Sequence, residues 1–167
     1  AFARGLAEDQ KQFGLSLLGG DTGATDGPLA IVVTAFGFVP QGAMVGRRGA
    51  KPGDAVYVTG SIGGSAGGLA IFKREKHALS DGERDALIAR YRVPEPPVAF
   101  ASALRAIATA AIDISDGLLA DLGHLAQASG VALDIQADTI PLPPGLKTWW
   151  GEKAIPRAAT GGDDYQI

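Results

Sequence analysis

Asp113, Ser115 and Asp116 are the residues whose types and spacing point most directly to chemistry. They follow Ala110-Ala111-Ile112, which has the apolar pattern of a buried strand end, and they precede a predicted helix. Gly117 permits a sharp turn, and leucines recur at helical spacing behind it (Leu118, Leu119, Leu122 and Leu125). Two carboxylates on such a turn can share a hard cation such as Mg²⁺ through oxygen ligands. The alternative interpretation is that Ser115 or Asp116 only caps the helix.

Glycine pairs precede acidic residues at two other places in the chain. Gly19-Gly20-Asp21-Thr22 follows a predicted apolar strand, and Gly161-Gly162-Asp163-Asp164-Tyr165 lies at the end of the sequence. Glycines before an acid let the backbone come close to an anion or to a metal-bound phosphate. For the first segment taken by itself, a plain glycine turn is the more common alternative.

Three cations lie between glycine-rich turns in Arg47-Arg48-Gly49-Ala50-Lys51. A guanidinium binds phosphate oxygens bidentately, so this segment suits a polyphosphate, although a pair of arginines is more often a solvated face. The glycine-rich stretch at 60–68 contains neither G-x-G-x-x-G nor Gly-Lys-Ser/Thr. Its small residues favour close packing of a helix against a strand, with a phosphate contact as an open alternative.

Composition sets the outer limits on function. Hydrophobic residues make up 46% of the 167 residues and charged residues 20%, which suits a globular core. The net charge of −3 predicts no nucleic-acid partner, and the absence of cysteine excludes disulfides and thiolate–metal sites. His77 and His124 show no partner at ligand or triad spacing. The longest apolar run, at 29–39, is too short to span a bilayer and no secretory leader is visible, so we expect a cytoplasmic protein without membrane contact.

The hydrophobic pattern predicts a mixture of strands and helices. Strands are expected at 15–18, 29–36, 55–59 and 131–135, and at the chain's end after Tyr165. Helices are expected at 1–13, 81–92, 97–107, 118–129 and 152–159, with one more ending at Phe72. The Trp149-Trp150 pair is expected to pack over the core. Because the first helix has no N-cap and the last strand has barely begun, the pattern predicts an internal piece of a longer protein.

The order of these segments resembles the thiamine-monophosphate kinases, a family of the aminoimidazole ribonucleotide synthetase-like superfamily. The most specific motif is Ile112–Leu125, which contains Gly123-His124. The other matching segments are Gly19–Thr22, Arg47–Asp54, Tyr57–Gly60, Ser65–Ala70 and Gly161–Tyr165. The resemblance covers nearly all of this chain and about the middle half of the family's usual length.

The resemblance implies ATP-dependent phosphorylation of thiamine monophosphate to thiamine diphosphate with Mg²⁺. The family positions that match Asp21, Asp113 and Asp116 hold metal ions. Those that match Gly20, Asp21, Arg47 and Ser115 contact ATP, and the one that matches Asp163 contacts the thiamine phosphate. The residue types agree, because carboxylates, glycines and arginine without paired histidine or cysteine favour Mg²⁺–nucleotide chemistry over zinc hydrolysis or covalent catalysis.

The implied fold consists of two α+β domains, with the N-terminal sheets of two subunits pairing in a homodimer. Residues 1–39 would then be the tail of the ATP-binding N-terminal domain, and residues 40–167 the first part of the C-terminal domain. Two alternatives remain open. One is a sister enzyme of aminoimidazole ribonucleotide synthetase or selenophosphate synthetase type that uses ATP on another acceptor; the other is a non-catalytic nucleotide-binding or assembly domain.

Several positions depart from the family pattern. Gly64 stands where an aspartate is common, Gln166 where a glutamate is usual, and Asp163 where a glutamate is frequent. The family's N-terminal acidic metal cluster is not in this sequence. Because phosphoryl transfer needs several charges placed around the transferred group, we expect residues 1–167 alone to be inactive and to associate or aggregate.

Overall fold

The computed structural model describes residues 2–167, and within them all regular secondary structure is helical. The α-helices are α1 (Phe2–Phe13), α2 (Gly64–Phe72), α3 (Asp81–Arg92), α4 (Ala101–Ile107), α5 (Leu118–Ser129), α6 (Leu146–Trp150) and α7 (Ala154–Thr160). Short 3₁₀ turns occupy Val98–Phe100, Ala137–Thr139 and Gly151–Lys153. No helix in these residues is long and apolar enough to cross a membrane.

The chain divides into two compact units. One unit reaches to Pro40 and contains α1, and the other spans Gln41–Ile167 and contains α2 to α7. That these pieces belong to an ATP-binding domain and a C-terminal domain stays a prediction.

Local sequence signals explain where the confirmed helices begin and end. Helix α3 begins at a capping box, in which Ser80 Oγ accepts from the Glu83 amide and Glu83 Oε2 accepts from the Ser80 amide at 2.9 Å. Helix α5 ends at Gly130, whose φ of 68° is the left-handed conformation that glycine adopts easily. The predicted bounds of α3 and α5 are confirmed, because these local signals can be read from the sequence.

The predicted strands are not formed in residues 2–167. The segments at 15–18, 29–36, 55–59 and 131–135 contain no regular strand, so the α+β class is not supported by the secondary structure of this chain. A strand requires its backbone groups to pair with a neighbour. In the described chain, residues 16–45 make no backbone–backbone hydrogen bond to another segment. Elsewhere the extended segments are joined by isolated bonds, such as that from the Thr59 amide to the Ile167 carbonyl at 3.0 Å.

The apolar run at 29–39 is exposed, although a run that is apolar on both faces is typical of a buried strand. Leu29 is 86% exposed and Val32 is 91% exposed. Burial on both faces requires a layer of structure on each side, and no other described segment covers these side chains. The expectation of a strand at 29–36 is therefore wrong for the described residues, and its apolar side chains are exposed.

Helix α2 packs against helix α3 through glycine. A side chain at Gly68 would collide with the backbone of Leu87 and with Tyr91, and one at Gly67 would press on Leu87 and Leu146. The small residues therefore do serve close packing, as predicted, but their partner is a helix and not a strand. This contact fixes the position of α2, whose N-terminus binds the carboxylate of Asp164.

Two clusters of buried side chains form the core of the unit at 41–167. One consists of Ile62, Ile114, Leu118, Ala158 and Ala159, and the other of Ala70, Leu87, Leu146, Trp150 and Ala154. Ile114 lies within the turn at 113–117, which is called the acidic turn below, and Leu118 directly follows it, so this turn is anchored in the first cluster. Trp150 is only 7% exposed and packs into the second cluster, as predicted for the tryptophan pair.

Candidate functional site

A single buried carboxylate shapes the turn that carries Ser115 and Asp116. Oδ2 of Asp121 accepts hydrogen bonds from the backbone amides of Ser115, Asp116 and Gly117, each at 3.1 Å. Asp121 lies in the first turn of α5 and is 3% exposed. From inside the helix it therefore binds three consecutive amides of the turn that leads into α5.

Neither Ser115 nor Asp116 caps α5. The residue at the N-cap position is Gly117, which has no side chain to accept a hydrogen bond. The capping alternative for Ser115 and Asp116 is therefore wrong, because no side chain caps the N-terminus of α5. Gly117 has φ of 125°, and a Cβ there would lie 3.1 Å from the carbonyl of Thr160, so both conformation and space require glycine.

The segment at 163–165 lies against this turn and is held by backbone hydrogen bonds. The Asp163 amide donates to the Ser115 carbonyl at 2.9 Å, and the Tyr165 amide donates to the Ile114 carbonyl at 2.8 Å. A Cβ on Gly162 would collide with the Ser115 carbonyl oxygen. Two segments far apart in sequence thus meet with their backbones in contact.

Asp163 and Tyr165 adopt backbone conformations that are unusual for their residue types. Their φ angles are 65° and 50°, in the left-handed region that residues other than glycine seldom occupy. Such conformations persist where the surrounding structure determines them, and they occur often at functional sites. Here the hydrogen bonds of the Asp163 and Tyr165 amides hold the backbone in these conformations.

Three carboxylates gather around the phenol of Tyr165. Its hydroxyl donates to Oδ1 of Asp163 at 3.2 Å. That hydrogen bond, followed by the negative charges of Asp163, Asp113 and Asp116, raises the pKa of Tyr165 above its usual value. Together with the backbone hydrogen bonds between the two segments, this shows that the structure brings Asp163 close to the turn of Asp113 and Asp116. All three are exposed.

The carboxylates of Asp113 and Asp116 accept no hydrogen bond and form no ion pair with any residue in 2–167. Neither carboxylate has a positive partner in that part of the chain. Exposed carboxylate oxygens without a protein partner can bind a hard cation, so the two residues are candidate cation ligands.

The candidate metal ligands form an oxygen-rich group with one nitrogen. One ligand atom each from Asp116, Asp121 and His124 lies within 4.8 Å of the other two. Asp121 and His124 share a face of α5 because they are three residues apart, so the expectation that His124 lacks a nearby partner was wrong. Carboxylate oxygens suit Mg²⁺, whereas an imidazole nitrogen does not, and Oδ2 of Asp121 already accepts three amides. The fit to Mg²⁺ therefore rests on Asp113 and Asp116.

Asp164 occupies the N-terminus of α2. Oδ2 accepts from the Gly63 amide at 2.6 Å and Oδ1 accepts from the Ser65 amide at 3.1 Å. Burial raises the pKa of the Asp164 carboxyl, while the amides of Gly63 and Ser65 and the charge of Arg90 oppose that rise. Because these amides are taken, the phosphate contact left open for this glycine-rich stretch is not available to them.

Arg47 lies on a loop that is hydrogen-bonded to the segment leading into the acidic turn. The Arg47 carbonyl accepts from Ser129 Oγ at 3.0 Å, and the carbonyl of Gly46 accepts from the Ala111 amide at 2.9 Å. Ala111 precedes Asp113 by two residues. The Arg47 guanidinium is exposed and makes no hydrogen bond or ion pair within residues 2–167.

Gly20 and Asp21 lie in the unit that ends at Pro40. Oδ1 of Asp21 accepts from the amide of Thr22 at 2.8 Å, which is a local turn contact. A Cβ on Gly20 would have no described atom within 4 Å. Their predicted roles toward metal and ATP stay predictions.

A known protein family matches the part of the chain that carries the acidic turn. The family model described as AIR synthase related protein, C-terminal domain, matches residues 51–154. The chain belongs to this family. The match contains helix α2 and the whole of the acidic turn at 113–117, whereas Arg47 and the segment at 163–165 lie outside the matched residues.

Among individual proteins, this AIR synthase-related chain is similar to thiamine-monophosphate kinases. It is 48% identical to that of Caulobacter vibrioides over 99% of this chain and 47% of the relative. The crystal structure of the Stenotrophomonas maltophilia K279a enzyme matches with a TM-score of 0.71 and 38% identity, covering 77% of this chain and 42% of the other. A structure of AaThiL complexed with AMPPCP and TMP matches with a TM-score of 0.67 and 41% identity, covering 73% and 40%.

The resemblance to thiamine-monophosphate kinases that the motifs indicate is thus confirmed. The chain spans about half the length of the curated relatives it matches.

Sequence reasoning missed two buried carboxylates that build this AIR synthase-related site. Asp121 was passed over because it follows the motif on the helix, although an acid in the first turn of a helix that lacks a side-chain cap is a usable signal. Asp164 was treated as one more acid in a glycine-rich turn, and its partners at 63 and 65 are 101 and 99 residues away. No local signal could have paired it with α2.

Proposed function

We propose that this chain is part of a thiamine-monophosphate kinase, which transfers the γ-phosphoryl group of ATP to thiamine monophosphate with Mg²⁺. The observation that carries the proposal is the group of Asp113, Asp116 and Asp163 around Tyr165 in a chain 48% identical to a thiamine-monophosphate kinase. The complex of AaThiL with AMPPCP and TMP supports ATP and thiamine monophosphate as the two substrates.

Asp113 and Asp116 would hold Mg²⁺, and Asp21 is proposed as a metal ligand from the resemblance alone. The support is their oxygen chemistry and the lack of any hydrogen-bonded or charged partner for Asp113 and Asp116 within residues 2–167. When bound, Mg²⁺ neutralises charge on phosphate oxygens and helps to orient them. Asp121 keeps the turn in place, so the two carboxylates are positioned before any ligand arrives.

Gly20, Asp21, Arg47 and Ser115 would contact ATP. The exposed Arg47 guanidinium can bind two phosphate oxygens at once, and its backbone is anchored by Ser129 beside the acidic segment. Asp163 would contact the acceptor. Its carboxylate is fixed in direction by the Tyr165 hydroxyl at 3.2 Å and by its own unusual backbone conformation.

The same proposal includes the architecture of the whole enzyme. Two α+β domains, pairing of N-terminal sheets in a homodimer and a cytoplasmic location are what the resemblance implies. The TM-scores of 0.71 and 0.67 to solved thiamine-monophosphate kinases support the shared fold over about three quarters of this chain.

The test is a coupled assay of ADP release by the full-length protein that contains this chain. Thiamine monophosphate, formylglycinamidine ribonucleotide and selenide are compared as acceptors at equal ATP and Mg²⁺. We expect turnover with thiamine monophosphate alone. Turnover with one of the other acceptors would identify a sister enzyme, and nucleotide binding without ADP release from any acceptor would identify a non-catalytic domain; either result overturns the proposal.

A further inference from the structure

We infer that Asp164 and Ser65 form a clamp that positions Asp163 for binding of the phosphorylated acceptor, with helix α2 as the support. The inference rests on the proposed function, since it concerns the same acceptor. The carboxylate of Asp164 is buried and binds the N-terminus of α2. It therefore acts through its neighbour Asp163 and is a positioning residue.

The carboxylate of Asp164 ties its segment to the start of α2. It spans the Gly63 amide at 2.6 Å and the Ser65 amide at 3.1 Å, and it is only 2% exposed. The amides at the N-terminus of a helix carry partial positive charge, so a carboxylate is the acceptor that this position favours.

Ser65 closes the clamp from the other side. Its Oγ donates to the carbonyl of Asp163 at 2.7 Å and also approaches the Arg90 carbonyl at 3.2 Å. The Asp163 amide meanwhile donates to the Ser115 carbonyl. The backbone of Asp163 is thus bound at its amide by the acidic turn and at its carbonyl by α2, on both sides of a residue with φ of 65°.

This double attachment explains how an unusual backbone is maintained. A non-glycine residue with positive φ is strained and keeps this conformation only where its surroundings enforce it. If the α2 side of the clamp is released, Asp163 can relax toward ordinary φ values, and its carboxylate leaves the hydroxyl of Tyr165. Helix α2 cannot follow, because Gly68 is packed against the backbone of Leu87.

The experiment compares Asp164→Asn and Ser65→Ala with the wild-type full-length enzyme. Each variant loses at least one hydrogen bond of the clamp, so we expect the KM for thiamine monophosphate to rise about tenfold, the factor that one such bond is worth. The KM for ATP is expected to change less than about twofold. Ser80→Ala is the matched control: it removes the N-cap of α3, which packs on α2, and should lower stability while leaving both KM values unchanged.

The outcomes separate this inference from the proposed function. A wild-type enzyme that does not turn over thiamine monophosphate overturns both. An active wild type whose two clamp variants keep the wild-type KM for the acceptor, or lose ATP and acceptor affinity equally, overturns the clamp alone. If Asp164→Asn does not fold, Ser65→Ala decides the question by the same two KM values.

Discussion

The side chain of Asp121 accepts a hydrogen bond from the backbone amide of Asp116 at 3.1 Å, five residues before it in the chain. The same oxygen also accepts from the amides on either side of Asp116. A run of adjacent amides is a common binding site for phosphate oxygens. In this turn that capacity is used internally, so the turn presents carboxylates to its surroundings and not amides.

Asp121→Asn is therefore expected to destabilise the protein. The amide side chain is neutral and cannot serve three backbone donors as strongly, so the free energy of unfolding should fall by about 1–3 kcal/mol. Urea denaturation measures the change. Asp138→Asn is the matched control, since Asp138 is exposed and outside this network, and its effect should stay within about 0.5 kcal/mol. Equal midpoints for the two variants would show that Asp121 does not organise the turn.

Asp116→Asn tests the metal role without relying on activity alone. Asp116 is exposed, so the fold should survive, with stability within about 0.5 kcal/mol of the wild type. Mg²⁺ that binds the folded state raises Tm by mass action, and this rise should be strongly reduced in the variant, together with Mg²⁺-dependent turnover. An unchanged response of Tm and turnover to Mg²⁺ would remove Asp116 from the ligand set.

The parts of the structure that sequence predicted are those with local causes. The bounds of α3 follow from the Ser80 capping box, and the start of α5 follows from Gly117 and the leucine spacing. The resemblance to a known family singled out Asp113, Asp116 and Asp163 as site residues, and their roles stay predictions.

The parts that sequence did not predict depend on distant partners. Asp164 looks like an ordinary turn acid until the amides of Gly63 and Ser65 are seen beside it. The run at 29–39 has the composition of a buried strand, yet pairing and burial are properties of its neighbours and not of the run itself. The apolar pattern alone therefore predicted a strand at 29–36 that the described residues do not form.

Arg47→Lys and Arg47→Ala should both raise the KM for ATP. A lysine supplies one point charge where the guanidinium supplies a planar fork, so the conservative change should recover little of the lost affinity. ATP titrations of the full-length enzyme measure the effect, with kcat expected to change less than KM if the contact is equal in ground and transition states. Arg48→Ala is the control; a normal titration for Arg47→Ala with a defect in Arg48→Ala would move the role to Arg48.

Arg157→Ala should destabilise the protein and flatten its response to acid. Arg157 pairs with Glu75 at 2.8 Å and lies 4.1 Å from the ring centre of Trp150. The hydrogen bond from Arg157 lowers the pKa of Glu75, so this contribution to stability is present above the ordinary pKa of glutamate and is lost as pH falls through the lowered one. Both partners are more than a third exposed, so the total loss should be only about 1 kcal/mol.

Thermal unfolding of Arg157→Ala as a function of pH checks this. The difference from the wild type should be largest near neutral pH and should shrink on the acid side. Arg84→Ala breaks exposed ion pairs with Asp81 and Asp85 and touches no aromatic ring, so it should cost less at every pH. A constant difference across the acid range would contradict the role of the Glu75 pair.

Gly162→Ala and Gly123→Ala should have opposite effects. A methyl group at Gly162 would collide with the carbonyl oxygen of Ser115, which is backbone and cannot turn aside, so the two segments of the site must separate. Gly123 lies inside α5 with no described atom within 4 Å of an added Cβ, and alanine there should stabilise the helix by roughly 0.5–1 kcal/mol. The midpoint of urea denaturation should therefore fall for Gly162→Ala and rise for Gly123→Ala.

Turnover of thiamine monophosphate should be lost only in Gly162→Ala, because only that change moves Asp163 away from Asp113 and Asp116. Full activity in Gly162→Ala would show that contact between the two segments is not required.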